Sequence, residues 1–222
     1  MTEAEWLSTD DPVLMLHFLE GEGRASARKL RLTACACCRR LWHLLPEKRR
    51  AAIEAMEGFA DRLVSEAARA TYEDADVIGH PSGEYAVYYT SLPTRSFRTA
   101  VYNVAHCAAL TVSDAAPSAS RTRAREAERA AQLELIRCVF GNPFRPVSVV
   151  RSWKTRDKVT LARAAYEERT LPARTLDPAR LAALADALEQ ARCTDADLLG
   201  HLRGPGPHIR GCWVVDLVLG KS

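Results

Sequence analysis

The 222-residue chain has no apolar run approaching the roughly 18 residues that a membrane-spanning helix needs, so no span is expected. Its opening, MTEAEWLSTDD, is acidic and lacks the basic-then-apolar layout of an export signal, which makes a cytoplasmic location the expectation. The sequence holds no G-x-S-x-G, H-E-x-x-H, Walker loop or G-x-G-x-x-G, and so none of the common hydrolase, metalloprotease or nucleotide-binding signatures. No paired C-x-x-C recurs, which excludes an ordinary zinc-finger framework. The seven cysteines are odd in number and widely spread. In a chain without an export signal they are expected to be reduced thiols, most of them small buried hydrophobes.

What is present is ordinary globular composition, 47% hydrophobic and 27% charged, with one unusual stretch, KLRLTACACCRRLWHLL over 29–45. Residues 24–50 contain nine Lys or Arg against the single acid Glu47, while the rest of the chain is net acidic. Such a basic element either finds its counter-charges inside the fold or presents a patch to a polyanion. Without motif or aromatic support the internal reading is preferred, and nucleic acid is kept as the alternative partner.

Helix signals dominate. Thr2 and Glu5 form a capping-box pair, Asp11-Pro12 an N-cap with a first-turn proline, and Ser26 a further cap. Leu30, Ala34, Cys37, Leu41 and Leu45 recur at helical spacing, which places Cys37 in a core stripe, Cys38 at its shoulder and Cys35 on the flank, with Arg39, Arg40 and His43 on an outer face. A third helix is expected through Ile53, Met56, Ala60, Leu63 and Ala67, and a fourth, capped by Ser96, through Phe97, Val101, Val104, Ala108 and Val112. Between them, from Thr71 to Ser96, the pattern dissolves among Gly and Pro. It reads as a long connection in which Tyr85, Val87 and Tyr89 alternate as a brief extended segment. A charged helix runs from about Ser120 to Phe140, where Gly141 and Pro143 stop it. A short extended piece covers 148–152, and helices begin near Thr155, Asp177-Pro178 and Thr194 before a last one, WVVDLVLG. The expected fold is all-α, an irregular bundle of seven to nine helices over 1–222. Lobes of 1–75 and 97–222 joined by 76–96 are the alternative division.

Two chemistries merit naming. Zinc is bound by thiolates and imidazoles, and the chain offers Cys35, Cys37, Cys38 and His43 near its start, then Cys193, His201, His208 and Cys212 near its end. His208 and Cys212 reach one point if their segment is helical, so Cys35, Cys38, His208 and Cys212 are the metal candidates, in a site where N-terminal cysteines meet the C-terminal loop. Thiol catalysis by Cys35, with His43 or His208 as base, is the other reading, although a mid-helix cysteine lacks the activating field of a helix N-terminus. The prolines in GPGPHIRG lack N–H donors, so that loop is a poor phosphate cradle. Arg39, Arg40, His43, Arg145, His208 and Arg210 are the candidate binding residues, Arg145 because FGNPFRP holds it in a rigid turn.

The motifs EAEWLSTDDPVLMLHFL, KLRLTACACCRRLWHLL, FGNPFRPV and LADALEQARCTDADLLGHLRGPGPHIRGCWVVDLVLG resemble an uncharacterised bacterial family found in many paralogous copies per genome. The resemblance covers both ends and the FGNPFRP turn. It implies no activity, cofactor or catalytic residue, and is compatible with partner-specific binding modules. The expectation is therefore a non-enzymatic helical binding or regulatory module with a protein partner and no cofactor. A small metal- or thiol-dependent site is the runner-up, with zinc as its cofactor.

Overall fold

The caps anticipated from sequence set the first helices of the computed structural model, which describes residues 1–73, 81–148, 150–171 and 174–221, the side chains of 95–99 excepted. Thr2 and Glu5 form the reciprocal capping box of α1 (Glu3–Ser8). Asp11 accepts from the Val13 N–H at 2.9 Å ahead of Pro12 and so starts α2 (Pro12–Gly21). Ser26 accepts from Lys29 and starts α3 (Ala27–Arg40). The chain is all-α, 71% helical, and twelve helices stand among the described residues, more than the seven to nine expected. None of these helices is long and apolar enough to cross a membrane.

Two compact units divide the chain, 1–136 and 137–222. In the first, α4 (Glu47–Ala60), α5 (Glu66–Ala70), α6 (Ser82–Ser91) and α7 (Thr94–Ala115) follow α3, and α8 (Arg121–Phe140) carries the chain across the boundary. Three expectations are corrected here. The third helix ends at Ala60. Gly58 leaves room for Val64, whose Cγ2 would lie 2.8 Å from any Cβ there. Arg62 then takes a left-handed φ of 62°, and Leu63 is 74% exposed instead of continuing the core stripe. The segment around Tyr85 to Tyr89 is helical, not extended. Its buried face is Gly83, Ala86, Val87 and Thr90, at helical spacing but too small and weakly apolar to register against the flanking tyrosines. A Cβ on Gly83 would sit 3.2 Å from the Thr111 methyl of α7, so the glycine sets how closely α6 and α7 approach. The fourth helix begins at Thr94, before Ser96, after the prolyl cap Pro93. The side chains of Ser96 and Phe97 and the 74–80 part of the expected connection lie outside the described residues.

Helix α3 has no outer face over most of its length. Every residue from Leu30 to Arg39 is buried, including Cys35 and Cys38 at 0% exposure, because α4, α6 and α7 pack around it. Part of the basic window is correspondingly turned inward, with Arg31, Arg39 and Arg49 buried and Arg24, Arg40 and Lys48 exposed. Arg39 makes a two-point pair with Glu57, both about 5% exposed, and its guanidinium lies 4.6 Å from the Trp42 ring centre. Arg40 meets Glu128 at 2.8 Å, Arg49 meets Glu84 at 2.9 Å, and Arg28 meets Asp61 at 2.8 Å. Arg31, 1% exposed, donates to the Thr90 carbonyl and, at 2.9 Å, to that of Leu92, and lies over the Phe59 ring. Burial pushes Arg31 down to about 10, while for Glu128 burial outweighs Arg40 and raises its carboxyl.

In the second unit Val150 is extended, as expected for 148–152, and Val149 lies outside the described residues, but a one-turn 3-10 helix over Arg151–Lys154 takes the last two residues of that piece. It leads into α9 (Arg156–Glu167), a two-residue hairpin of β1 (Arg169–Thr170) and β2 (Thr175–Leu176), α10 (Pro178–Gln190), α11 (Ala196–Arg203) and α12 (Trp213–Leu219). The hairpin, antiparallel with Thr170 opposite Thr175, is too short to leave a periodic signal. Leu176, Leu181, Leu184, Leu188, Leu198, Leu202 and Val214 are buried in this unit's core.

Removing the carboxylate of Glu57 leaves Arg39 buried without its two-point partner, so Glu57→Ala is expected to cost about 3–5 kcal/mol in urea denaturation of the full chain. Arg145→Ala, which removes a pair to Asp197 that is more than half exposed on both sides, is expected to cost less than about 1 kcal/mol. Equal losses would show that the inward arginines contribute no more than a surface pair.

Candidate metal centre

One group of ligating side chains stands out in the second unit. Cys138, His201, His208 and Cys212 each place one donor atom so that all four lie within 4.8 Å of one another. Each comes from a different local structure. Cys138 sits in the last turn of α8, just before Gly141 ends that helix with a φ of 67°. A Cβ on Gly141 would lie 3.1 Å from the Trp213 indole, so the glycine lets the turn close on the residue next to Cys212. His201 lies on the flank of α11, whose buried stripe is Leu198, Leu199 and Leu202 and whose cap is Asp195, one residue past the Thr194 expected. His208 is on the loop between α11 and α12, and Cys212 caps α12.

That loop is not helical between His208 and Cys212, so helical spacing does not bring them together. The two side chains meet because Gly206 and Gly211 take left-handed backbone, with φ of 86° and 90°, and Cys212 N–H closes a turn onto the Ile209 carbonyl at 2.9 Å. A Cβ on Gly206 would stand 2.9 Å from the His208 backbone nitrogen and 3.3 Å from its ring. The loop is tied down again by Leu176, whose N–H donates to the His208 carbonyl at 2.8 Å, and by the Ile209 N–H, which donates to Cys138 Sγ at 3.4 Å.

The hydrogen bonds assign the donor atoms. His208 Nε2 is 3.1 Å from the Gly204 carbonyl oxygen, which can only accept, so Nε2 carries a proton and Nδ1 is the atom turned to the group. His208 is 4% exposed, and its Nδ1 is buried with no hydrogen-bond partner among the described residues. An imidazole that gives one N–H to a backbone carbonyl and leaves the other nitrogen open is the usual arrangement of a metal-ligating histidine. His201 Nε2 is 3.2 Å from Cys212 Sγ, and the two imidazoles meet edge to face at 4.8 Å. Burial by itself would raise the Cys212 thiol, but Cys138, His201 and His208 together hold it well below the ordinary range. Cys138 moves the other way, pushed up by burial and then by Cys212 and the buried Asp216. For His208 burial acts downward and Cys212 more than offsets it, so the imidazole is raised. One readily ionised thiol, one reluctant thiol and two imidazoles thus face one point. Donors of a tetrahedral site with bonds of ~2.0–2.3 Å stand roughly 3.3–3.8 Å apart, so the group lies within a small side-chain adjustment of that geometry.

The remaining candidates are placed elsewhere. Cys35 and Cys38 belong to the first unit, buried in α3, and the four donors that converge all come from the second. Burial raises the Cys37 and Cys38 thiols, which suits packing and not nucleophilic chemistry. Cys35 is fully buried, not on an exposed flank, because α3 is enclosed on all sides. Arg39 is internal, Arg40 is bound to Glu128, and His43 is exposed. Arg145 pairs with Asp197 at 3.4 Å, and Arg210 lies 5.1 Å from the Tyr166 ring centre. Sequence spacing singles out His208 and Cys212 but not Cys138, which reads as one more residue of an apolar helix end. Only the proximity of the stop signal Gly141 hints that its neighbours are held in place.

Comparison of the chain with models of protein families, with curated proteins and with solved structures gives no match in any of the three.

Gly206→Ala combines a left-handed backbone with a collision against His208, and is expected to cost on the order of 1–3 kcal/mol by chemical denaturation. Gly200→Ala, where a Cβ meets nothing within 4 Å, is expected to be neutral or slightly stabilising. A neutral Gly206→Ala would show that the loop does not need this backbone to place His208.

Proposed function

We propose that the chain is a helical binding module whose second unit is fixed by one zinc-class ion held on Cys138, His201, His208 and Cys212. The observation that carries this reading is the convergence of those four donors within 4.8 Å. Two sulfurs and two imidazole nitrogens, with no carboxylate among them, form a donor set for zinc or a similar borderline metal, not for magnesium or calcium. Four protein donors fill a tetrahedron and leave no position for water or substrate. That assigns the ion a structural task, joining the end of α8, α11, the 204–212 loop and the start of α12. The pairing of Arg28, Arg39, Arg40 and Arg49 with carboxylates of the same unit speaks against a polyanion partner for the basic window.

Elemental analysis of the purified full chain after dialysis is expected to find one zinc per chain, and a strong chelator to lower the thermal midpoint. Ligand held at a thousand times its dissociation constant stabilises by about 4 kcal/mol, so the shift should amount to several degrees. Protein that carries no metal and whose midpoint is unmoved by added zinc would remove the proposal.

A further inference from the structure

The four donors include two thiols, and this is the feature from which a regulation of the site follows. Cys138 Sγ and Cys212 Sγ lie within 4.8 Å of one another, close enough that rotation of the two side chains brings them into bonding range. Both are almost fully buried, at 2% and 0% exposure, while His201, 3.2 Å from Cys212, is the half-buried member and forms the side of the group nearest solvent. The loop that carries Cys212 takes left-handed backbone at Gly206 and Gly211, and the Ile209 N–H, three residues before Cys212, already donates to Cys138 Sγ at 3.4 Å, so the loop and the end of α8 are held together at the two sulfurs.

Resting on the reading that these four residues hold a metal, we infer that the centre is a thiol–disulfide switch in which a Cys138–Cys212 bridge and the bound ion exclude one another. The oxidant is hydrogen peroxide. One thiolate sulfur attacks the O–O bond and becomes a sulfenic acid, and the departing oxygen leaves as water after taking a proton. The second thiolate then displaces the hydroxyl from that sulfur, which leaves as a second water after taking another proton. Two electrons pass from the sulfurs to the peroxide, one S–S bond forms, and no thiolate remains to ligate. With only His201 and His208 left the ion departs, and a dithiol reductant restores the site.

The test uses the full-length zinc-loaded protein treated with hydrogen peroxide, with released zinc followed by a chromogenic chelator and thiol pairing mapped by mass spectrometry of peptides. Oxidation of Cys107, half-buried and outside the group, calibrates the dose. The expected result is one zinc released for each Cys138–Cys212 bridge formed, reversed by reductant and added zinc, with Cys107→Ser behaving as the parent chain does. Zinc retained at a dose that oxidises Cys107, or zinc released without that bridge, overturns the switch while leaving the metal site standing. Protein that never binds zinc overturns both, and is seen before any peroxide is added.

Discussion

A charge or an ionisable group removed from water must meet a partner, and this constraint organises both units. In the first, Arg31, Arg39 and Arg49 of the basic window are carried into the interior by the apolar residues around them, and each guanidinium ends on a carboxylate or a carbonyl: Arg39 on Glu57, Arg49 on Glu84, Arg31 on the end of α6, while the exposed Arg40 reaches the buried Glu128. The partners come from other helices, so the pairs dictate which helices stand beside α3 as well as offsetting the desolvation of its charges. In the second unit the same rule gives a different outcome. The carbonyl of Gly204 satisfies one side of His208, but the other side, with Cys138, His201 and Cys212, faces a point at which only a shared proton or a cation completes the set.

That difference gives the two cysteine populations different meanings. For Cys37 and Cys38 burial is the largest effect and nearby arginines do not offset it, so the thiols are pushed up and held protonated. Cys212 is equally buried, yet the imidazoles and Cys138 around it reverse the effect of burial. Depth in the structure therefore does not separate a packing cysteine from a ligating one; the polar groups within reach do. The stretch richest in cysteine, 29–45, is thus a core helix, and the chemistry lies with two cysteines that stand alone in sequence.

The legible part of the sequence was local. Asp11-Pro12, Ser26 and Asp177-Pro178 mark helix starts because a cap and its N–H partner sit two or three residues apart, and Gly141 marks a stop because its left-handed backbone is needed there. Helix α6 was hidden because its buried face is made of Gly83, Ala86, Val87 and Thr90, which carry too little hydrophobic contrast for a period to be seen. The interior fate of Arg39 could not be read because Glu57 lies on another helix. Cys138 was invisible as a ligand for the same reason, its partners being supplied by α11 and the loop before α12. Pairings between elements leave no periodic trace in either element. His208 and Cys212 were picked out for a helical spacing that the loop does not have, and their meeting depends on Gly206 and Gly211 instead.

The central claim is the identity of the four ligands, and X-ray absorption at the zinc edge of the purified full chain addresses it most directly. The account requires a first shell of two sulfurs at about 2.3 Å and two imidazole nitrogens at about 2.0 Å. A shell of oxygen and nitrogen alone, or one with three or more sulfurs, would contradict it.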